Sequence, residues 1–178
     1  WIPQFKTAFI GDNYYESFPN LYTLRGTQPR WALEYVESLN KVLALKPEMV
    51  LPSHGPPIHG NAEITRRLQR YRDAILYVHD QVVQGMNAGK DVFALMREIR
   101  LPPELEVGES YGKVSWSVRG IAEGYAGWFD LNPAALYEAP ASAVYADVVR
   151  LAGGSEAVTR LALERIRADR PVEALHLT

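Results

Sequence analysis

The chain has 178 residues, 47% of them hydrophobic and 22% charged, and a formal net charge of −2. That balance suits a packed globular core and argues against broad electrostatic binding to nucleic acid, which needs a basic surface. No apolar run approaches the roughly 20 residues that span a bilayer, and the absence of cysteine excludes disulfides and thiolate metal sites.

In chain order, Lys6-Thr7-Ala8-Phe9-Ile10 reads as a buried strand that breaks at Gly11-Asp12-Asn13. Residues 13–30 show no clean period and carry Pro19, Gly26 and Pro29. They read as a long loop, and such a loop inside a compact domain is usually functional. From Trp31 to Leu45 the apolar residues Trp31, Leu33, Tyr35, Val36, Leu39, Val42, Leu43 and Leu45 cluster at helical spacing. Lys46-Pro47 ends that helix, and Met49-Val50-Leu51 forms a second buried strand that stops at Pro52. A helix joining two strands predicts a βαβ crossover and parallel pairing. Each strand then ends at a tight turn holding a candidate metal ligand, Asp12 after the first and His54 after the second.

Beyond Gly60 the strand pattern stops. Asn61 suits an N-cap, and residues 62–87 predict one long helix with Ile64, Leu68, Tyr71, Ile75, Val78, Val82 and Met86 on its apolar face, closed by Asn87-Ala88-Gly89. Further helices are predicted over Lys90–Arg100, Tyr111–Phe129, Ala141–Leu151 and Ser155–Ala168, with an acidic loop at 104–110 and a break at Gly153-Gly154. Val172–Thr178 reads as a last helix stopped without a cap. The fold class is therefore an α/β piece over residues 1–60 followed by an all-α region over 61–178. The chain begins at Trp1 and reads as a piece of a longer protein.

Several side chains could carry chemistry, each beside a plainer role. Asp12 could bind a metal or form a turn, as Asp and Asn commonly do. His54 could ligate zinc through a neutral imidazole or stand as a structural residue of its turn. His59, five residues on, could be a further ligand or support one, and ranks below His54. Arg25 and Arg30 flank Gly26 in the long loop. An arginine fork suits sulfate, phosphate or carboxylate, and the alternative is a surface pairing with Glu16 or Glu34. Arg66, Arg67, Arg70 and Arg72 predict a solvated basic face. The aromatics Trp116, Tyr125, Trp128 and Phe129 predict core or interface packing. His79 and His176 lie in helical contexts that suggest nothing catalytic.

The order of short motifs along the chain resembles the metallo-β-lactamase superfamily, and within it the alkyl sulfatases. Gly11-Asp12-Asn13 precedes Pro19-Asn20-Leu21-Tyr22-Thr23-Leu24-Arg25-Gly26 and Arg30, then Pro52-Ser53-His54. Gln69-Arg70-Tyr71-Arg72-Asp73-Ala74-Ile75 and Tyr77-Val78-His79-Asp80-Gln81 follow, then Met86-Asn87-Ala88-Gly89, Leu101-Pro102-Pro103 and Tyr111-Gly112-Lys113-Val114. Last come Tyr125-Ala126-Gly127-Trp128-Phe129-Asp130-Leu131-Asn132-Pro133 and Gly153-Gly154. The resemblance covers nearly the whole chain, and it lies in the ordered set rather than in any one element.

The resemblance implies half of an αββα sandwich that holds a pair of zinc ions, followed by a helical dimerisation domain from about residue 61. The bridging carboxylate corresponds to Asp12, where alkyl sulfatases usually carry glutamate. The last histidine ligand corresponds to His54, and the sulfate-binding arginine to Arg25. Asn20 and Tyr22 would line the pocket. The HxHxDH ligand cluster and a further acidic ligand would precede Trp1. Pro56 and His59 stand where tryptophan is frequent, which alters the expected pocket. The implied function is hydrolysis of alkyl sulfate esters by a metal-activated water, in a homodimer formed through residues 61–178. The alternatives are the same fold acting on a lactone, thioester or phosphoester, or a non-catalytic oligomerisation module. On its own this chain is expected to be inactive and to bind zinc weakly. The sequence assigns no compartment.

Overall fold

The computed structural model describes residues 1–23, 28–129 and 132–178, in two compact units, Trp1–Trp128 and Phe129–Thr178. The change of element type near residue 60 is thus not where the compact units divide. Instead the long helix after residue 60 packs into the same core as the sheet.

In the first unit, β1 (Thr7–Gly11), α1 (Ala32–Ala44) and β2 (Met49–Pro52) form the expected crossover, with β1 and β2 parallel. Ala8 pairs with Val50 and Gly11 with Pro52. A third strand, β3 (Ile58–His59), returns antiparallel beside β2. It has only two residues between glycines and prolines, too few to show a period of two. Ala8, Ile10, Val50 and Ile58 are buried, whereas Phe9 on β1 is 62% exposed. The expectation of two buried strands is corrected accordingly: successive strand residues face opposite sides, and the face of β1 opposite Ala8 and Ile10 is covered at Thr7 but open at Phe9.

Helix α1 presents Tyr35, Val36, Leu39 and Val42 to the core and packs on α2 (Asn61–Asn87). The latter buries Ile64, Leu68, Tyr71, Ile75, Val78 and Val82, which recur every three or four residues as expected. Its start differs from the sequence reading. Gly60 is the N-cap, with φ +83°, a conformation that side chains with a Cβ rarely adopt. Asn61 instead lies inside the helix, and its side-chain amide donates to the Pro47 carbonyl at 3.1 Å. Short helix α3 (Val92–Glu98) is capped by Asp91, which accepts the Ala94 N–H at 2.9 Å. Helix α4 (Val114–Ala126) is shorter than predicted and packs on α2 and α3. It buries Val114, Val118, Ile121 and Ala122. Tyr125 and Trp128 are more than half exposed and Trp116 is half-buried, so these three aromatics are not core of this unit. Among the described residues, no helix is long and apolar enough to cross a membrane.

Four tyrosines fill the space under the sheet's carboxyl end. Tyr71 is 1% exposed, and Tyr14, Tyr15 and Tyr35 meet its ring at centroid distances of 5.0, 6.3 and 6.2 Å. The Tyr71 and Tyr35 hydroxyls lie 3.4 Å apart. Burial pushes the ionisation of both well above the ordinary tyrosine range. In the unfolded chain these phenols titrate near their usual value of about 10. Their contribution to stability is therefore complete below that pH and is lost as pH rises above it, because the unfolded chain then binds fewer protons. Urea unfolding should show the stability falling between pH 9 and 11, with a shallower fall in Tyr71→Phe.

The second unit contains α5 (Tyr145–Leu151), α6 (Ser155–Arg167) and α7 (Pro171–Leu175). Gly153 and Gly154, with φ of +90° and +99°, break the chain between α5 and α6 as expected. Among the described residues of this unit only Ala162 and Ala174 are buried, while Leu151 is 84%, Val172 67% and Leu175 74% exposed. A segment this short cannot enclose its own apolar side chains.

Candidate metal-binding site at the strand ends

Parallel pairing delivers the two predicted ligands to one place. Because β1 and β2 run the same way, their carboxyl ends are neighbours, the usual position of ligand sites in parallel sheets. Gly11 pairs with Pro52, and the Ser53 N–H donates to the Gly11 carbonyl at 2.9 Å. The chain turns immediately after each, helped by positive φ at Gly11 and Gly55. Asp12 and His54 then face each other, with Asp12 Oδ1 and His54 Nε2 3.5 Å apart and both side chains more than half exposed.

Helix α1 anchors the first turn from below. The Tyr35 hydroxyl donates to the Asp12 carbonyl at 2.6 Å, and Ser38 Oγ donates to Asn13 Oδ1 at 3.1 Å. Tyr15 supports the second turn. Its ring meets His54 edge-on at 6.5 Å, and its hydroxyl accepts the Asn20 N–H at 3.1 Å. Burial raises the ionisation of Tyr15, so it acts as a neutral phenol.

The pair fits two positions of a zinc ion's ligand set. Zinc–nitrogen and zinc–oxygen bonds of about 2.0–2.2 Å at tetrahedral angles put two ligand atoms roughly 3.3–3.5 Å apart. The 3.5 Å separation of Asp12 and His54 matches that spacing. Among the described residues no third histidine, aspartate or glutamate joins them. His59 stands on β3 opposite Met49, where the hairpin has carried the chain back to the start of β2. It therefore lies at the other end of that strand from His54.

The remaining predicted site residues divide as follows. Arg25 lies outside the described residues. Asn20 is fixed through its backbone: its N–H meets Tyr15, and its carbonyl lies 3.5 Å from the Arg30 guanidinium. Tyr22 turns toward α4, its ring over Gly120 and its hydroxyl donating to the Glu123 carboxylate, a bond that raises the phenol's ionisation. The arginines of α2 are engaged rather than merely solvated. Arg66 and Arg67 hold Glu63, Arg67 also reaches Glu16, Arg72 bonds Asp73, and Arg70 donates to the Glu106 carbonyl. Those two partners hold the Glu63 carboxyl down at about 2. His79 is 8% exposed and lies 2.8 Å from Asp80 and 2.7 Å from the Tyr125 hydroxyl, joining α2 to α4.

Tyr15, Tyr35 and Tyr111 surround the pair without having been expected there. Tyr111 sits at centroid distance 5.0 Å from Tyr15. Tyr15 lay in an aperiodic loop and Tyr35 in a helix whose apolar stripe already explained it. The available clue was the pair Tyr14-Tyr15 directly after the Gly11-Asp12-Asn13 turn.

Known proteins give the arrangement a family. Residues 93–178 match the model described as alkyl sulfatase dimerisation. A linear primary-alkylsulfatase of Pseudomonas sp. (strain ATCC 19151) is 38% identical over 147 residues, covering 80% of this chain and 28% of that protein. The alkyl/aryl-sulfatase BDS1 of Saccharomyces cerevisiae is 30% identical over 166 residues, covering 89% of this chain and 26% of its own length. The stereoselective inverting sec-alkylsulfatase Pisa1 from Pseudomonas sp. superposes with a TM-score of 0.87 at 26% identity, over 99% of this chain and 29% of that one. The chain thus spans about a quarter of the length of the curated relatives it matches. By motif order, sequence identity and fold, the chain belongs to the alkyl sulfatase family.

Proposed function

We propose that this chain supplies two zinc ligands and the dimer-forming helices of an enzyme that hydrolyses alkyl sulfate esters. The observation that carries the reading is the convergence of Asp12 and His54 to 3.5 Å at adjacent parallel strand ends. Asp12 and His54 would hold the metal, with further ligands supplied by residues outside this chain. When bound, zinc supplies a water that is acidic near neutral pH and a Lewis acid for the ester oxygens. Tyr35 holds the Asp12 turn in place through its carbonyl. Tyr15 sets its ring against one side of the His54 ring. Arg25 would clamp the sulfate with a guanidinium fork, offsetting its charge. Asn20 would line the same pocket. Tyr22 would contribute its ring, its hydroxyl being held by Glu123.

The test uses the complete protein in which this chain occurs. Metal analysis should find zinc, and sulfate should be released from dodecyl sulfate and lost on chelation. Zinc without sulfate release would favour another ester as substrate. A metal-free protein that hydrolyses sulfate esters would overturn the zinc assignment.

The homodimer reading draws support from the second unit. Its groove of about 370 Å3, walled by Ile166, Val172 and Leu175, is apolar and open. Large exposed apolar surfaces on folded proteins commonly mark association sites. Sedimentation of the complete protein should give a dimer, shifted toward monomer by Leu175→Asp. An unchanged dimer in that variant would remove this face from the interface.

A further inference from the structure

We infer that Tyr111, with Tyr15, forms the wall along which the substrate's alkyl chain leaves the metal site, so that a residue of the dimerisation region sets chain-length preference. This inference rests on the alkyl sulfatase reading and assigns a residue to its specificity. A cavity of about 330 Å3 opens between the His54-Gly55 turn and Tyr111, floored by Tyr15 and Ser17. The three rings form a continuous row. His54 meets Tyr15 edge-on at 6.5 Å, and Tyr15 meets Tyr111 edge-on at 5.0 Å.

Tyr111 is 51% exposed, so the core does not account for its size. Its backbone is nevertheless fixed. The Tyr111 N–H donates to Ser17 Oγ at 3.0 Å, and the next N–H, of Gly112, donates to the Phe18 carbonyl at 3.1 Å. A rigid aromatic beside a metal ligand is a preorganised contact surface, which binds without first having to be ordered. An ester whose sulfate sits at Asp12 and His54 must trail its chain outward. The row of rings is the apolar path that begins at His54. Among the described residues no lysine or arginine lines this cavity, and its one carboxylate, Glu16, is already paired with Arg67, so nothing there calls for a second charged group and a neutral chain is the fitting occupant.

Each methylene buried on such a wall is worth roughly fourfold in binding. In the complete zinc-loaded protein, Tyr111→Ala should lower kcat/KM for octyl sulfate about tenfold. For ethyl sulfate, whose two carbons do not extend along the wall, the loss should stay below about twofold. Tyr111→Phe, which keeps the ring, should behave as the parent. Equal losses on both esters, or none on either, would overturn the inference. Calorimetry with decanesulfonate, which is not cleaved, reads the wall independently of turnover. Binding by the parent that weakens about tenfold in Tyr111→Ala supports the wall, and unchanged binding refutes it. If the parent cleaves no alkyl sulfate, the proposed activity fails, and the calorimetric result still decides for or against the wall. Thermal unfolding of both variants guards against a folding defect.

Discussion

Replacing His54 with alanine in the complete protein is expected to lower kcat/KM for dodecyl sulfate by about a thousandfold or more, with a matching loss of bound zinc. The reasoning starts from the exposure of the site. Both side chains of the Asp12–His54 pair are more than half exposed, so truncating either removes little packing. An effect on activity with unchanged thermal stability would then report ligand loss rather than unfolding. Asp12→Ala should behave in the same way. Asp12→Asn is more informative, because it keeps an oxygen donor and the turn but removes the charge that favours a divalent cation. It should retain part of the zinc and little of the activity. His59→Ala supplies the contrast. Its position opposite Met49 puts a whole strand between it and His54, so its effect should stay below about twofold. A large loss in His59→Ala beside a small one in His54→Ala would reverse the assignment of the ligands.

The same strand geometry explains what the sequence could and could not convey. Strand, helix and strand were legible because Ala8–Ile10 and Met49–Leu51 are short apolar runs that stop at Gly11 and Pro52, and the α1 stripe between them carries a clear helical period. Their order then implied parallel pairing, and parallel pairing alone brings Asp12 next to His54. That inference needed no knowledge of side-chain contacts. His59 was less legible, because a two-residue strand in a Gly/Pro-rich turn has no pattern, and β3 carries the chain away from the site. The helix start at Gly60 was missed for a related reason. Asn61 is a good cap by residue type, yet its amide is taken by the Pro47 carbonyl and the positive φ falls on its neighbour. The links from Arg67 to Glu16 and from Arg70 to the Glu106 carbonyl were not legible because those partners lie 51 and 36 residues away in sequence, whereas Glu63 and Asp73, which pair with Arg66 and Arg72, stand within four residues of them. The tyrosine cluster was hidden in the same way, since Tyr14 and Tyr15, Tyr35 and Tyr71 come from three separate segments, and Tyr111, which meets Tyr15, from a fourth. Local period reports an element's buried face, not which distant element it meets.

Gly112→Ala is expected to destabilise the protein by about 3 kcal/mol, more than most single substitutions outside a large core residue. A Cβ at Gly112 would lie 2.4 Å from the Pro19 carbonyl oxygen and 2.5 Å from that of Phe18. Both obstacles are backbone, so no side-chain rotation relieves them. Either segment 110–113 or segment 17–19 must withdraw. Withdrawal costs the Gly112 N–H bond to Phe18, the Tyr111 N–H bond to Ser17, and cover over Phe18, which is fully buried. Two hydrogen bonds at about 1 kcal/mol each, with a partial loss of aromatic burial, account for the expected size. Gly85→Ala is the control. There the Cβ would approach only the end of the Leu95 side chain, at 2.2 Å. A leucine end group can turn aside, and alanine is favoured over glycine in a helix by about 1 kcal/mol. Gly85→Ala should therefore lose much less than Gly112→Ala in urea unfolding. The comparison also bears on the site. The clamp at Gly112 is what sets Tyr111 against Tyr15, so Gly112→Ala should weaken hydrolysis of long-chain esters more than short ones even at temperatures where the variant is fully folded. Parental stability together with parental chain-length preference in Gly112→Ala would mean that the close approach of these two segments neither holds the fold nor seats the ring.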